Sequence, residues 1–313
     1  MKVLIVRFSS IGDIVLTTPV IRCMKTQINA EVHYLTKPEY RNLLDQNPFI
    51  DMLWLLDKPI KELISDLKKE YFDYVIDLHK NIRSLKLAIS LRTKRLTYHK
   101  ATFEKLLMVY FKMNILPKSH VADRYLKSVA KLGVKNDGKG LDYFIPKDTV
   151  NKISELNQPY LCAVIGATHF TKRLPVQNWI EFINRTQQTI VLIGGKSEMQ
   201  DAQYIVENTG RNVINTVGKT NLTESALIIQ NADKVISNDT GMLHIAAALK
   251  KPIISLWGGT LWQYGFWPYY PNGLELNKNI EIKNLGCRPC SKFGRNDCPK
   301  KHFKCMKEIK IEI

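Results

Sequence analysis

Two short turns carry the residue types best suited to chemistry on a phosphorylated ligand. The first, Phe8-Ser9-Ser10-Ile11-Gly12-Asp13-Ile14, follows the apolar run Val3 to Val6 and precedes a helix-like stretch. The second, Ser237-Asn238-Asp239-Thr240-Gly241-Met242-Leu243-His244, lies between Lys234-Val235-Ile236 and the helix-like Ile245 to Leu249. A strand that turns through glycine into a helix aims free backbone N–H groups and the positive end of the helix dipole at one point, which suits an anion such as a diphosphate. The same spacing also fits an ordinary β-α turn, with Asp13 as N-cap in the first and Asp239 or Thr240 in the second. One such turn in each half of the chain reads as two facing sites.

The elements that must position these turns alternate along the chain. Short apolar runs at Val3 to Val6, Glu31 to Leu35, Met52 to Leu55, Tyr74 to Leu78 and Arg95 to Tyr98 alternate with amphipathic stretches such as Ile14 to Ile28 and Ile60 to Glu70. That is the βαβ pattern of a parallel sheet. The pattern breaks after Ile145-Pro146 and restarts with Tyr160 to Ile165, Thr189 to Ile193, Val213 to Val217, Lys234 to Ser237 and Pro252 to Leu256. With 313 residues the chain exceeds one ordinary core, so the expectation is two α/β domains, residues 1–150 and 158–313, joined near 146–158. Open parallel sheets bind ligands at the carboxyl ends of their strands. Gly12-Asp13, Gly166-Ala167-Thr168, Gly194-Gly195 and Asp239-Thr240-Gly241 all fall at such ends, lining a cleft if the domains face each other.

The formal charge of +17 is concentrated. Lys80 to Lys135 holds 14 Lys and Arg against Glu104 and Asp123, Asn277 to Ile313 holds 10 against 4, and the remainder is near −1. Concentrated basicity calls for an anionic partner: nucleic acid, an anionic membrane face or a polyanionic substrate; a solvated, solubilising face is the simpler alternative. The start Met1 to Arg7 is too short and too soon charged for a signal peptide, and no uncharged apolar run approaches the ~18 residues of a membrane span. The expected location is the cytoplasm.

Four segments in order carry a family resemblance. They are Ser9-Ser10-Ile11-Gly12-Asp13-Ile14-Val15-Leu16-Thr17-Thr18-Pro19; Gly166-Ala167 with Lys172-Arg173-Leu174-Pro175; Asn238 through Ala248; and the tail Cys287-Arg288-Pro289-Cys290 through Cys298-Pro299 to Cys305-Met306. Together they resemble glycosyltransferase family 9, the bacterial heptosyltransferases of the lipopolysaccharide core, with Leu174 standing where the family usually has an aromatic. The resemblance implies a GT-B architecture of two Rossmann-like doubly wound parallel-sheet domains facing a central cleft. It further implies an inverting mechanism, a nucleotide-sugar donor such as ADP-heptose, and an anionic lipopolysaccharide or Kdo-lipid A acceptor.

Inverting transfer needs a base near the acceptor hydroxyl and a cationic or N–H-rich site for the departing diphosphate. Asp13, the only acid in its turn, takes the base role or simply caps its helix. Ser9, Ser10 and Gly12 let the backbone approach sugar or phosphate. Lys172 reaches for the donor phosphates, with Arg173 and Thr168 as weaker candidates, and Thr240, Gly241, Met242 and the amides up to His244 form the opposite wall, next to Asp239. His244 itself reads as structural or ligand-orienting. By resemblance, Glu198, Thr220 and Asn221 lie where the family contacts ribose and adenine, although a surface Glu and a helix cap would look the same.

No Asp-x-Asp pair offers a carboxylate clamp for Mg²⁺ or Mn²⁺, so transfer is expected to need no catalytic metal or other cofactor. The tail cysteines Cys287, Cys290, Cys298 and Cys305, with His302 among them, suggest a structural zinc or four reduced thiols in a compact tail. Isolated Cys23 and Cys162 read as core residues. The basic segment, with Phe103, Leu106, Leu107, Tyr110 and Phe111 at helical spacing, is expected to bind acceptor phosphates and carboxylates, to rest on anionic lipid at the inner membrane, or to be an ordinary helix with solvated lysines. Of the rival classes, nucleic-acid binding lacks a recognisable signature, and a dinucleotide oxidoreductase needs three glycines where Ser10-Ile11-Gly12-Asp13-Ile14-Val15 has one. No nucleic-acid partner is expected.

Overall fold

The computed structural model describes residues 1–153, 159–210 and 212–313, so part of the expected linker at 146–158 lies outside the described residues. Contacts divide the chain into two compact units, each built on a parallel sheet. The first unit contains β1 (Lys2–Val6), α1 (Ile11–Val15), α2 (Thr18–Ile28), β2 (Glu31–Thr36), β3 (Met52–Leu55), α3 (Ile60–Lys68), β4 (Tyr74–Asp77), α4 (Ile82–Leu91) and β5 (Lys94–Thr97). The helix α5 (Thr102–Phe111) packs with the second unit, and α6 (Val121–Val129) returns to the first. The second unit continues with β6 (Tyr160–Val164), α7 (Val176–Arg185), β7 (Thr189–Ile193), α8 (Met199–Glu207), β8 (Val213–Asn215), α9 (Leu222–Asn231), β9 (Lys234–Asn238), α10 (Gly241–Ala248), β10 (Ile253–Trp257), β11 (Asn277–Glu281) and α11 (Lys304–Lys307).

Strand order is β3-β2-β1-β4-β5 in the first sheet and β11-β10-β9-β6-β7-β8 in the second. Each order reverses direction once, between β1 and β4 and between β6 and β9, and in open α/β sheets that reversal opens a crevice at the carboxyl ends of the strands. Val6 pairs with Asp77 across the first crevice and Val164 with Ser237 across the second. The central strands are buried along most of their length, as helices on both faces require. Leu4, Val6, Leu63, Leu67, Val75 and Leu87 belong to one core, and Leu161, Ala163, Trp179, Phe182, Ile190 and Leu192 to the other.

Three features depart from the sequence reading. The single helix expected over Ile14 to Ile28 is two, α1 and α2. Pro19 has no N–H to continue the α1 ladder, and the hydroxyls of Thr17 and Thr18 bond back to the carbonyls of Ile14 (2.7 Å) and Val15 (2.8 Å). A further parallel strand, β11, pairs with β10 although its sequence Asn277-Lys278-Asn279 is polar, as an edge position allows. Finally, the packing units are not contiguous in sequence: Ala101–Lys118 belongs with the second unit and Pro271–Gly273 with the first.

Candidate active site

In the first unit, β1 delivers Arg7 into the crevice. Arg7 is buried, and its Nη1 donates to the Leu78 carbonyl (2.6 Å) and the Tyr125 hydroxyl (3.1 Å), while Nε donates to the Ser9 carbonyl (2.7 Å). Its Nη2 lies 2.7 Å from Asp13 Oδ1. Burial opposes the charge on Arg7, and the Asp13 carboxylate together with the surrounding Tyr125, Tyr98 and Tyr34 more than offsets it, so the guanidinium is held even more firmly protonated than usual. Asp13 sits at the third position of α1 and closes a capping box: its Oδ2 accepts from the Ser10 hydroxyl (2.9 Å) and, at 3.4 Å, from the Ser10 amide. The protein's own carboxylate thus takes the Ser10 donors and the Arg7 guanidinium at this turn. Ser10 spends its donors on Asp13, Gly12 is buried, and what the turn offers a ligand is a fixed acid.

Beside it, β4 ends in Asp77, which is fully buried and accepts from Arg95 (2.7 Å), Ser84 (2.8 Å) and the amides of His79 and Lys80. His79 follows, its ring centroid 4.8 Å from that of Phe8. Burial, then Arg7 and Lys100, push the His79 imidazole down to about 4, so it is neutral near pH 7, and its buried Nδ1 has no hydrogen-bond partner among the described residues. Burial and Arg7 likewise lower Lys100, whose ammonium donates to the His79 and Lys80 carbonyls.

In the second unit, Asn238 at the end of β9 staples the neighbouring loop. Its Nδ2 donates to the Ile165 carbonyl (2.9 Å), and its Oδ1 accepts from the Leu174 amide (3.1 Å). That holds the segment carrying Lys172 against Asp239. The Lys172 ammonium lies 2.7 Å from Asp239 Oδ2, which also accepts from the Thr260 hydroxyl (2.8 Å). Asp239 immediately precedes Thr240, the N-cap of α10, whose side chain makes no cap bond. The first amides of α10, at Gly241 and Met242, have no acceptor within the helix and lie at the positive end of its dipole. His244 is buried, 6.4 Å from Phe266 between ring centroids, and faces the packing.

A second ion pair braces the same loop. Arg173 donates to the Ala167 carbonyl (2.6 Å) and lies 3.2 Å from Glu198, which also accepts from the Gly195 amide (2.9 Å) and the Ser197 hydroxyl (2.5 Å). Glu198 is buried, and a Cβ at Gly166 would stand 2.8 Å from its carboxylate, so a side chain there would push the carboxylate out of its place. Thr168 is exposed beyond β6. Thr220 bonds the Ser225 hydroxyl (2.8 Å), and Asn221 caps α9 through the Glu224 amide (2.9 Å). These two stand at a different helix start from α10.

The tail buttresses this loop. Arg288 donates to the carbonyls of Gly258 (2.6 Å), Ile282 (2.7 Å), Thr260 (3.0 Å) and Trp257 (3.2 Å) and lies 2.9 Å from Glu281. It thereby fixes the segment from which Thr260 reaches Asp239. A Cβ at Gly258 would stand 2.6 Å from the Thr171 carbonyl, which is how closely tail-braced loop and Lys172 loop meet. Arg7, His79, Thr260 and Arg288 carry no role in the sequence reading; for Arg288 the signal was present in Cys287-Arg288-Pro289-Cys290, where the thiols are the more conspicuous residues.

A tetrahedral zinc–thiolate site needs sulfurs about 3.8 Å apart, given Zn–S bonds near 2.3 Å. Among the described residues, the group of three or more potential ligands that come within 4.8 Å of one another is Glu31, His33 and Glu70, with the Lys2 ammonium 3.0 and 2.9 Å from its two carboxylates. The tail thiols form no such group. Cys287 Sγ lies 3.7 Å from His302 Nε2, Cys290 faces the Gly259 carbonyl at 3.6 Å, and Cys305 is buried in the core, its thiol pushed up to about 12 by that burial. As placed, these residues do not fit a four-thiolate ion. Cys23 and Cys162 are buried.

A family model for glycosyltransferase family 9 (heptosyltransferase) matches residues 60–301, a span that includes the second turn and begins after the first. Lipopolysaccharide heptosyltransferase 1 of Salmonella typhimurium is 27% identical over 284 residues, 83% of this chain and 89% of the relative. The protein of that name in Campylobacter coli is 26% identical over 162 residues, 49% of this chain and 45% of the relative. Among solved structures, E. coli ADP-heptose lipopolysaccharide heptosyltransferase II aligns with a TM-score of 0.70 at 18% identity, with 97% of each chain covered. The architecture is GT-B, each half built on a parallel sheet.

Proposed function

The chain belongs to glycosyltransferase family 9 and is a glycosyltransferase, and on that premise we propose that it transfers L-glycero-D-manno-heptose from ADP-heptose to the inner core of a lipopolysaccharide precursor. The observation that carries the reading furthest is the start of α10. Backbone amides that the Thr240 side chain leaves uncapped, a positive helix end and the Lys172 ammonium meet around Asp239, which is what a leaving diphosphate needs.

In the proposed reaction the acceptor hydroxyl oxygen forms a bond to the anomeric carbon of the donor as the bond from that carbon to the β-phosphate oxygen breaks. The electron pair leaves with ADP, and the hydroxyl proton passes to Asp13. A single displacement inverts the configuration. Arg7 and Ser10 hold Asp13 in one orientation, so it meets the acceptor without reorganising. Lys172, released from Asp239 as phosphate arrives, and the amides of Gly241 and Met242 receive the charge that develops on the diphosphate. Arg173 and Glu198 hold the loop in shape, and Thr168, Thr220 and Asn221 are proposed donor contacts at its periphery. Charge neutralisation by these groups is proposed to dispense with a catalytic metal. No described helix is long and apolar enough to cross a membrane, and the proposed location is the cytoplasmic side.

Supplying ADP-heptose, a UDP-sugar and a GDP-sugar separately with a Kdo-lipid A acceptor tests the reading by product mass. Gain of one heptose from the ADP donor alone supports it. Transfer from only a UDP- or GDP-sugar would replace the donor, and transfer to none of several core acceptors would overturn the acceptor class.

A further inference from the structure

His79 differs from His33 and His120 of the same unit in the use made of its ring. His33 is satisfied at both nitrogens, with Nε2 3.1 Å from Glu31 and Nδ1 accepting from the Trp54 indole (3.0 Å). His120 caps α6, its Nδ1 accepting from the Ala122 amide (3.0 Å). His79 makes its hydrogen bonds through its backbone: the amide donates to Asp77 Oδ1 (3.1 Å), and the carbonyl accepts from the Lys100 ammonium (3.2 Å). Neither ring nitrogen has a hydrogen-bond partner among the described residues, and of the two it is Nδ1 that is buried.

The ring stands where a ligand would lie. Val6 and Asp77 are paired in parallel across β1 and β4, so Phe8 and His79 each follow that pair by two residues, at the carboxyl ends where the strand order reverses. Their ring centroids are 4.8 Å apart, and this contact together with the two backbone bonds fixes the imidazole. Phe8 leads into the turn that carries Asp13, and the Asp13 carboxylate is near enough to act on the imidazole.

A neutral imidazole has one N–H to place. Burial keeps a second proton off the ring, and so do Arg7 and Lys100, which outweigh Asp77 and Asp13. A buried N–H without an acceptor is tolerated less often than a bare lone pair, so the proton belongs on Nε2, where solvent or a ligand can accept it. The result is a fixed, uncharged donor beside the proposed base, with no protein group to receive it. An orphan polar group of this kind in a binding crevice is the mark of a partner that arrives with the ligand.

We propose that His79 is an acceptor-binding residue, its Nε2–H donating to an oxygen of the acceptor sugar that neighbours the attacking hydroxyl. The proposal rests on the reading of Asp13 as the base of the transfer. A hydrogen bond made equally before and during the chemical step raises acceptor affinity and leaves the step itself alone, so its loss falls on the acceptor KM.

His79→Gln and His79→Asn separate this role from packing. The Gln carboxamide nitrogen reaches the place of imidazole Nε2, that of Asn the place of Nδ1, and both side chains are planar and uncharged. With ADP-heptose and a Kdo-lipid A acceptor, the acceptor KM should rise about tenfold in His79→Asn and stay within about threefold of wild type in His79→Gln, as a lost and a kept neutral hydrogen bond imply. The KM for ADP-heptose should hardly move in either. An acceptor KM equal in all three proteins, or raised equally in both variants, overturns the inference and leaves the transfer reaction standing. Ring-nitrogen NMR of wild type carrying isotope-labelled histidine, with the His79 signals identified by their loss in His79→Gln, gives a readout that needs no transfer. At neutral pH the proton should sit on Nε2, and deacylated Kdo-lipid A added to the ADP-bound protein should shift that signal. A proton on Nδ1, or an Nε2 signal that the acceptor leaves unmoved, overturns the inference. Wild type that binds this acceptor yet transfers no heptose to it counts against the proposed function, and the NMR titration then still decides on His79.

Discussion

The two glycine turns look alike in sequence and are opposite in structure. After β1 the chain places an acid three residues into a five-residue helix, and that acid takes the turn's own donors and a buried arginine. After β9 the acid stands before the helix, where it holds Lys172, and the Thr240 side chain leaves the first amides of α10 uncapped. Moving one carboxylate by a few positions separates the turn proposed to cradle phosphate from the turn proposed to hold the base. In the proposed mechanism the two turns divide the labour: the first handles a proton and the second an anion.

The sharpest way to break that contrast is at the first acid. Asp13→Asn keeps the shape of the turn but removes the base, and turnover should fall by about 10²- to 10⁴-fold, the usual worth of a positioned general base. A folded Asp13→Asn enzyme with near-wild-type kcat would make Asp13 a helix cap alone. Next in size is the dependence of the second turn on the tail. Arg288→Met leaves Glu281 and several buried carbonyls without their cation, a loss of about 3–5 kcal/mol for a broken buried pair. A large drop in melting temperature together with weaker ADP binding is the expected result; an unchanged melting temperature would remove Arg288 as the brace.

A smaller effect separates the turns by pH. His79 titrates near 4 in the folded protein, below its ordinary value, so the unfolded chain binds its proton first as pH falls. Stability should therefore decline between about pH 6.5 and 4. His79→Gln should flatten that decline; an identical pH dependence in the variant would contradict it. The smallest expected effect concerns the tail thiols. Placed apart as they are, they should alkylate in the native protein at Cys287 and Cys298, and chelator should leave the melting temperature unmoved. About one zinc per chain in protein purified without chelator would show instead that the thiols close on an ion.

Much of the framework was legible because the cues were local. Strand positions followed from apolar runs, and the α10 turn from Gly241 set between such a run and an alanine-rich helix. The helix break at Thr17-Thr18-Pro19 was hidden, because the apolar periodicity runs through it. Lys105 shows the deeper limit: its inward direction is set by Tyr264 and Phe266, some 160 positions away in the chain, and nothing in α5 itself announces them. Glu198 is similar, since a surface glutamate and a buried clamp on Arg173 have the same local sequence. At the candidate site, the residues expected to touch substrate were visible by type, whereas Arg7, Thr260 and Arg288, which aim them, act through carbonyls and carboxylates that only the fold brings near.

The division between the turns is tested most directly by calorimetric titration of ADP into wild type, Asp13→Asn and Lys172→Ala side by side. Asp13→Asn should bind ADP as wild type does, and Lys172→Ala should bind it about tenfold or more weakly, as loss of a charged hydrogen bond implies. Equal weakening in both variants, or weakening by Asp13→Asn alone, would contradict the assignment of the anion to the second turn.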